Sequence, residues 1–338
     1  MKRSKGRSTG RSTDWYEAIG RRAFFAMVPE RSHRVALALL RLPLPWRRIG
    51  GAVDDPSLVT TLAGVRLRNP VGLAAGFDKA CSRMDALGSL GFGFVVGGTV
   101  TRAPRRGNAE PRIARDPGRR AIVNAMGLPN PGADSVAHAL ARGGRSAPRF
   151  VSIADEDVAE AAVCLGTLDP FVDGFELNAS SPNAGWEHAG DHVAALMGAL
   201  RPRTPKPLLV KVPPFATDQQ RDRTLEIVTA ARDGGASGIV CGNTMPVEDT
   251  RMSTGRGGLS GGPLTERTPR IVEEVRRAAG DDLSVVACGG IFTADDVRRN
   301  LDAGAVAVQV YTALIYEGPG LPGKLTRALV SGHAARLA

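Results

Sequence analysis

The sequence predicts an α/β fold, a (β/α)8 TIM barrel carrying a small N-terminal helical extension. Eight short apolar runs recur from residue 70 onward: Val71–Gly76, Phe92–Gly98, Arg149–Ile153, Gly174–Asn178, Leu208–Val212, Gly238–Asn243, Ser284–Cys288 and Val306–Tyr311. Helix-like stretches alternate with them, among them Asp155–Leu165, Asp218–Arg232, Glu266–Ala279 and Ala294–Ala303. Continuous apolar strands alternating with helices indicate a parallel sheet covered by helices. Eight such units in roughly 250 residues match the count and size of the barrel. The main rival is an open doubly wound sheet with a G-x-G-x-x-G turn after an early strand. The nearest match, Gly255-Arg-Gly257-Gly-Leu-Ser260, lacks the last glycine and comes late.

Three segments follow from composition. Residues 1–13 are polar and basic, the pattern of a disordered tail. Residues 14–50 read as an amphipathic helical extension. Phe24, Phe25, Met27 and Val28 lie among Arg21, Arg22 and Arg31, and Val35–Leu42 is a second apolar stretch. Pro29 breaks the two helices and Pro43 ends the second. Two roles fit this extension equally: a cap packed on the barrel, or a patch lying on an anionic membrane surface. Residues 51–338 form the barrel.

The net charge of +10 resembles a nucleic-acid signal, but its distribution excludes one. Residues 1–50 hold 12 basic and 3 acidic side chains, leaving 32 basic and 31 acidic in the rest. The barrel is therefore almost neutral, and no basic stripe is interleaved with aromatics. Cys81, Cys164, Cys241 and Cys288 lie far apart with no C-x-x-C pair, which points to buried inert thiols rather than a metal site. No apolar run approaches the length of a membrane span, and the basic start lacks the apolar core of a secretory signal.

A barrel carries its chemistry at the C-terminal ends of its strands. Those positions read Ala75-Gly76-Phe77-Asp78-Lys79, Thr99, Asn178-Ala-Ser-Ser181-Pro-Asn183, Lys211, Asn243-Thr244 and Tyr311-Thr312. Two late glycine-rich loops, Gly257–Gly262 and Cys288-Gly289-Gly290, suit a phosphate approached by backbone N–H groups. No G-K-[ST] follows, so the phosphate belongs to a cofactor rather than to a P-loop nucleotide. The polar set offers two lysines, neutral amides and a hydroxyl. Cations beside one ring system suit a flavin, which becomes anionic on reduction. A Schiff-base role for Lys211 is the competing reading.

The segment Asn69-Pro-Val-Gly-Leu-Ala-Ala-Gly-Phe-Asp-Lys79 resembles the dihydroorotate dehydrogenases, specifically the membrane-associated, quinone-using class. So do Gly98-Thr-Val-Thr101, Asn124-Ala-Met-Gly-Leu128, Asn178–Asn183, Gly257–Gly261 and Val310-Tyr-Thr312, and the resemblance runs from about Pro29 to Gly320. Pro29–His33 is similar to the quinone-tunnel segment of that class. The resemblance implies FMN bound by Ala75, Gly76, Thr99, Asn178, Lys211, Gly261, Gly290, Tyr311 and Thr312. It implies a dihydroorotate-like substrate held by Lys79, Asn124, Met126, Gly127, Leu128, Asn183, Asn243 and Thr244. Ser181 is then the catalytic base, and no metal takes part. The implied partners are quinone and, through the extension, the cytoplasmic face of the cell membrane, with a place in pyrimidine biosynthesis.

Departures from the family pattern cluster around the substrate. Asn-Ile-Gly-Lys-Asn after strand three is here Ser152-Ile-Ala-Asp-Glu156, and Gly242 stands where Thr is usual. After Asn183 the family continues Thr-Pro-Gly-Leu-Arg where this chain has Ala184-Gly-Trp-Glu187, and Leu128-Pro129 replaces Phe-Asn. Two further readings therefore stand beside dihydroorotate oxidation: an FMN enzyme acting on another ring compound in secondary metabolism, and a catalytically weak flavin-binding protein.

Overall fold

The computed structural model describes residues 16–154, 157–179 and 189–337. The expected tail over residues 1–13 lies outside them. Strands are numbered along the chain. The first seven are β1 (Thr60–Leu62), β2 (Val65–Leu67), β3 (Val71–Leu73), β4 (Phe94–Val100), β5 (Ile113–Asp116), β6 (Ala121–Asn124) and β7 (Arg149–Ile153). The rest are β8 (Gly174–Asn178), β9 (Leu208–Val212), β10 (Gly238–Cys241), β11 (Met245–Glu248), β12 (Arg256–Gly261), β13 (Ser284–Cys288) and β14 (Ala307–Val310).

Each of the eight predicted apolar runs contributes one strand to a closed parallel barrel, ordered β3-β4-β7-β8-β9-β10-β13-β14 and back to β3. Every residue of β4, β7 and β9 is buried, because helices cover the outside and side chains fill the inside. At one end Leu62 and Leu67 of the β1–β2 hairpin join Phe94, Val96, Phe150, Leu209, Val240, Val286 and Ala307 in a single cluster. The hairpin turns on Ala63 and Gly64, both at positive φ, as a two-residue turn between twisted strands requires. Gly72 leaves room for the Phe94 ring, which an added Cβ would meet at 2.3 Å.

Strand ends differ from the sequence expectation where the chain leaves the barrel early. Val71–Gly76 shortens to Val71–Leu73, Gly238–Asn243 to Gly238–Cys241, and Val306–Tyr311 to Ala307–Val310. The helix expected from Asp155 instead spans Val158–Leu168, because the Asp157 side chain accepts the N–H groups of Ala159 and Glu160 and fixes the start there. The helices Asp218–Asp233, Thr268–Ala279 and Ala294–Asp302 follow β9, β12 and β13 close to the expected bounds.

One expectation is corrected outright. The glycine-rich stretch Gly257–Gly262 is not a loop up to Gly261. It forms β12 in an antiparallel sheet ordered β11-β12-β6-β5. This sheet is built from the excursions that follow β4 and β10, with Asn124 opposite Gly258.

The extension contains helices at Arg21–Ala26, Pro29–Leu39 and Trp46–Gly50. Pro29 opens the second helix rather than merely breaking the first, since its missing N–H would have no partner there. Phe25, Leu37, Leu40, Trp46 and Ile49 pack against the barrel core. Arg115 fixes the seam: its guanidinium donates to the carbonyls of Phe24 (3.2 Å) and Met27 (3.2 Å) and lies 4.6 Å over the Phe25 ring. Tyr16 donates to the Ile315 carbonyl from the same side. The extension is thus a packed cap on its inner face. Ile19, Val28, Leu39, Leu42 and Leu44 remain exposed, and of these Leu39 and Leu44 also border the cavity described below.

Candidate active site

The strand ends and the two sheet excursions surround a cavity of 1620 Å³. All the predicted site residues within the described chain line it: Ala75, Gly76, Lys79, Thr99, Asn124, Met126, Gly127, Leu128, Asn178, Lys211, Asn243, Thr244, Gly261, Gly290, Tyr311 and Thr312. Ser181 and Asn183 lie outside the described residues, as do Ala184 and Trp186. The same cavity continues under the extension, where Phe25, His33, Leu39, Leu40 and Trp46 form its wall.

The loop after β3 is stitched down from both sides. Gly76 N–H donates to the Gly98 carbonyl (2.8 Å), and Gly98 N–H donates to the Asp78 carbonyl (3.0 Å). The buried Asp78 carboxylate accepts the N–H groups of Ser82 and Arg83, although burial still pushes its pKa up. This anchoring turns Lys79 into the cavity, with its ammonium on the Gly76 carbonyl at 2.5 Å. Burial, reinforced by the nearby Arg112 and opposed by Asp78, brings Lys79 down to about 8. Lys79 therefore still carries a charge at neutral pH, with the Arg112 guanidinium near enough to act on it. His33 faces it from the extension. Burial first, and Lys79 second, drive that imidazole down to about 3, so it is neutral. Its ring meets Phe77 edge-on at 5.1 Å, and Phe77 meets Tyr311 at 6.0 Å.

Thr99, Ser152 and Asn178 form a hydroxyl–amide chain at the ends of β4, β7 and β8. Thr99 Oγ1 lies 3.0 Å from Ser152 Oγ and accepts from Asn178 Nδ2 at 3.4 Å. Ser152 is where the family pattern expects an amide, so here the shorter hydroxyl ties Thr99 instead. The loop carrying Met126–Leu128 is held by Asn108, which donates to the Ala125 carbonyl, and by Asn130, which donates to the Leu128 carbonyl. Asn124 reaches the Gly258 carbonyl at 3.4 Å across the antiparallel sheet. Gly242, at φ 103°, would bring a Cβ within 2.3 Å of the Cys288 carbonyl. The family's usual Thr therefore does not fit this backbone.

Deeper in the barrel, Lys211 of β9 meets two buried partners that the strand-end reading missed. Its Nζ donates to Glu176 Oε1 (3.3 Å) and Gln309 Oε1 (3.1 Å), and Gln309 Nε2 donates to Glu176 Oε2 at 2.7 Å. Burial alone would lower the Lys211 pKa. Its neighbours Cys288 and Glu176 offset that and leave the ammonium above its ordinary value. The Cys288 thiol is itself held protonated by burial, so Glu176 is the anion that matters. An ammonium held by a carboxylate and an amide oxygen is placed as a fixed cation rather than as a nucleophile, which weighs against the Schiff-base reading of Lys211.

Elsewhere in the lining, two glycines stand where neighbouring backbone leaves no room for a side chain. A Cβ on Gly261 (φ 92°) would lie 2.3 Å from the Arg120 carbonyl, and one on Gly290 (φ 67°) 2.3 Å from Thr265 N. Thr265 and Thr268 hold the Gly290 and Gly289 carbonyls at 2.6 and 2.9 Å. Ser260 and Thr312 place two hydroxyls 2.9 Å apart beside them. A glycine cradle with hydroxyl donors at one wall and a buried ammonium with amides at the other match a flavin nucleotide, which has an anionic phosphate at one end and a flat donor–acceptor ring at the other.

The dihydroorotate dehydrogenase family profile matches residues 57–331. The chain belongs to that family. Among its relatives, the dihydroorotate dehydrogenase (quinone) of Bordetella pertussis is 37% identical, covering 93% of this chain and 97% of its own. That of Halorhodospira halophila is also 37% identical, covering 94% and 99%. Of solved structures, the dihydroorotate dehydrogenase of Eimeria tenella in complex with ferulenol superposes with a TM-score of 0.78 at 28% identity, over 91% of this chain and 92% of that one. Its ligand-free form gives 0.79 at the same identity. Membership of the dihydroorotate dehydrogenases makes this a flavin-dependent oxidoreductase.

Proposed function

We propose that this chain oxidises dihydroorotate to orotate on FMN and passes the electrons to a quinone, as a step of pyrimidine biosynthesis. The observation that carries the reading is one continuous cavity. It joins a lysine- and amide-lined chamber at the strand ends to an apolar passage beneath the N-terminal helices. A ring substrate with a carboxylate suits the first part, and an apolar electron acceptor the second.

In this reading the glycine wall at Gly261 and Gly290, with Thr312, holds the FMN phosphate. Ala75, Gly76, Thr99, Asn178, Lys211 and Tyr311 surround its ring. FMN, when bound, supplies the two-electron acceptor for the C6 hydride of dihydroorotate. Lys79 binds the substrate carboxylate by a charge-assisted contact, and Asn124, Asn183, Asn243 and Thr244 match its ring N–H and C=O groups. The loop Met126-Gly127-Leu128 closes the side of the chamber. Ser181 takes the C5 proton. A serine is a weak base on its own and needs a route that carries the proton onward. His33 stays neutral beside Phe77 and adds no charge of its own to the passage.

The extension gives the quinone a way in from a bilayer. No helix among the described residues is long and apolar enough to cross a membrane. Exposed Ile19, Val28, Leu39, Leu42 and Leu44 lie among arginines instead, a composition that favours peripheral contact with an anionic leaflet, here the cytoplasmic face of the cell membrane.

Anaerobic mixing with dihydroorotate tests the assignment. The yellow, FMN-loaded protein should bleach, and Ser181→Ala should retain the colour while losing the bleaching. Persistent colour in the wild type would transfer the chemistry to another ring substrate. Bleaching of Ser181→Ala at the wild-type rate would remove Ser181 from the base role.

A further inference from the structure

Glu176 is fully buried in the middle of β8 and has no part in the mechanism above. A lone carboxylate there would be expelled or neutralised, since burying an unpaired charge costs several kcal/mol. Here both of its oxygens are engaged, Oε1 by Lys211 at 3.3 Å and Oε2 by the Gln309 amide at 2.7 Å. Gln309 also closes the triangle by accepting from Lys211 at 3.1 Å. The three residues come from three separate strands, β8, β9 and β14, and all three line the cavity.

The arrangement has two consequences. Geometrically, Lys211 has little freedom, because two acceptors fix where its ammonium sits. Electrostatically, the ammonium does not act as an isolated positive charge. Any group bound beside Lys211 also feels a carboxylate one contact further away, in surroundings where water does little screening.

We propose that Glu176 is a positioning residue that, with Gln309, locks the Lys211 ammonium in place and tempers its charge, setting the reduction potential of the flavin. This rests on the FMN reading of the cavity. Reduced flavin carries more negative charge than oxidised flavin. A lone lysine therefore raises the potential, and the neighbouring carboxylate restrains that rise.

The midpoint potential of the FMN-loaded full-length chain, measured by dye equilibration, tests this directly. Glu176→Gln keeps the shape and one acceptor but removes the charge. Its potential should rise by ~30 mV or more, equivalent to about a tenfold change in the two-electron equilibrium. Glu176→Asp keeps the charge but withdraws it by one methylene and should move the potential less in the same direction. It also serves if Glu176→Gln does not fold. A variant that retains FMN with the wild-type potential overturns the proposal, because a purely structural role for Glu176 would change stability and leave the potential alone. A wild-type chain that folds but retains no FMN would instead defeat the flavin reading itself, before any variant is compared.

Discussion

Raising the pH from about 7 to about 9 removes the charge of Lys79 while leaving the carboxylate of dihydroorotate ionised, so it isolates one contact of the proposed substrate site. Burial, with Arg112 adding to it and Asp78 opposing it, brings the ammonium down to about 8. Beside Arg112 and Asp78, Lys79 faces His33, whose imidazole is neutral throughout this range. A bound carboxylate favours the charged lysine, so the complex keeps a proton that the free site progressively loses. Linkage then weakens the apparent affinity by about tenfold between pH 7 and pH 9, or ~1.4 kcal/mol. The dissociation constant is read from saturation of the anaerobic bleaching rate with dihydroorotate. It should be flat below pH 7 and rise about tenfold per pH unit well above 8. Lys79→Met should bind weakly at every pH and show no such slope. The sign for stability is separate. The folded value of about 8 lies below the ordinary 10.5, so between them the unfolded chain holds a proton the folded one lacks, and the substrate-free fold gains stability as pH rises through that window. A wild-type affinity that does not change from pH 7 to 9, or an unchanged slope in Lys79→Met, refutes the assignment of Lys79 to the carboxylate.

Two further outcomes follow from other walls of the cavity. Gly290→Ala puts a Cβ 2.3 Å from Thr265 N at a φ of 67°, adding ~1–2 kcal/mol of backbone strain and ~1–3 kcal/mol of overpacking. It should lower the melting temperature and shed FMN on gel filtration, and a fully loaded variant would place the phosphate elsewhere. Deleting residues 1–45 should leave a yellow protein that dihydroorotate still bleaches but that no longer reduces quinone or binds anionic liposomes. A truncation that reduces quinone without lipid would count against the role given to the extension.

What the sequence made legible was the part of the fold where burial is complete. A barrel strand covered on both faces needs an unbroken apolar run, so β7, β8, β9 and β13 fall on the expected residues without shift. The antiparallel sheet escaped because its strands bury much less. Ile113–Asp116 is half-buried at all four positions, and Arg256–Gly261 carries three glycines and an exposed arginine, which reads as a turn. Its pairing with β6 on one side and β11 on the other makes it a strand. Helix starts slipped for a comparable reason: the capping group at Asp157 is one polar residue among several, and the backbone chooses between them.

The same logic explains why Lys211 was found and Glu176 was not. Reading strand termini selects polar residues at the rim, whereas Glu176 sits two residues inside, on the same face as Asn178. A signal was nonetheless present. A glutamate within Gly-Phe-Glu-Leu-Asn interrupts an apolar run where water cannot reach, and so requires a cation nearby. The parallel register sets Asn178 opposite Lys211 and Glu176 opposite Leu209, which puts the carboxylate diagonally across from the amine. Gln309, from the far side of the barrel, then supplies what the pair still lacks, a donor for the second carboxylate oxygen and a second acceptor for the amine. A buried acid in a barrel strand thus implies its partners on neighbouring strands once the register is known, and the register is the one quantity that a single strand's sequence does not contain.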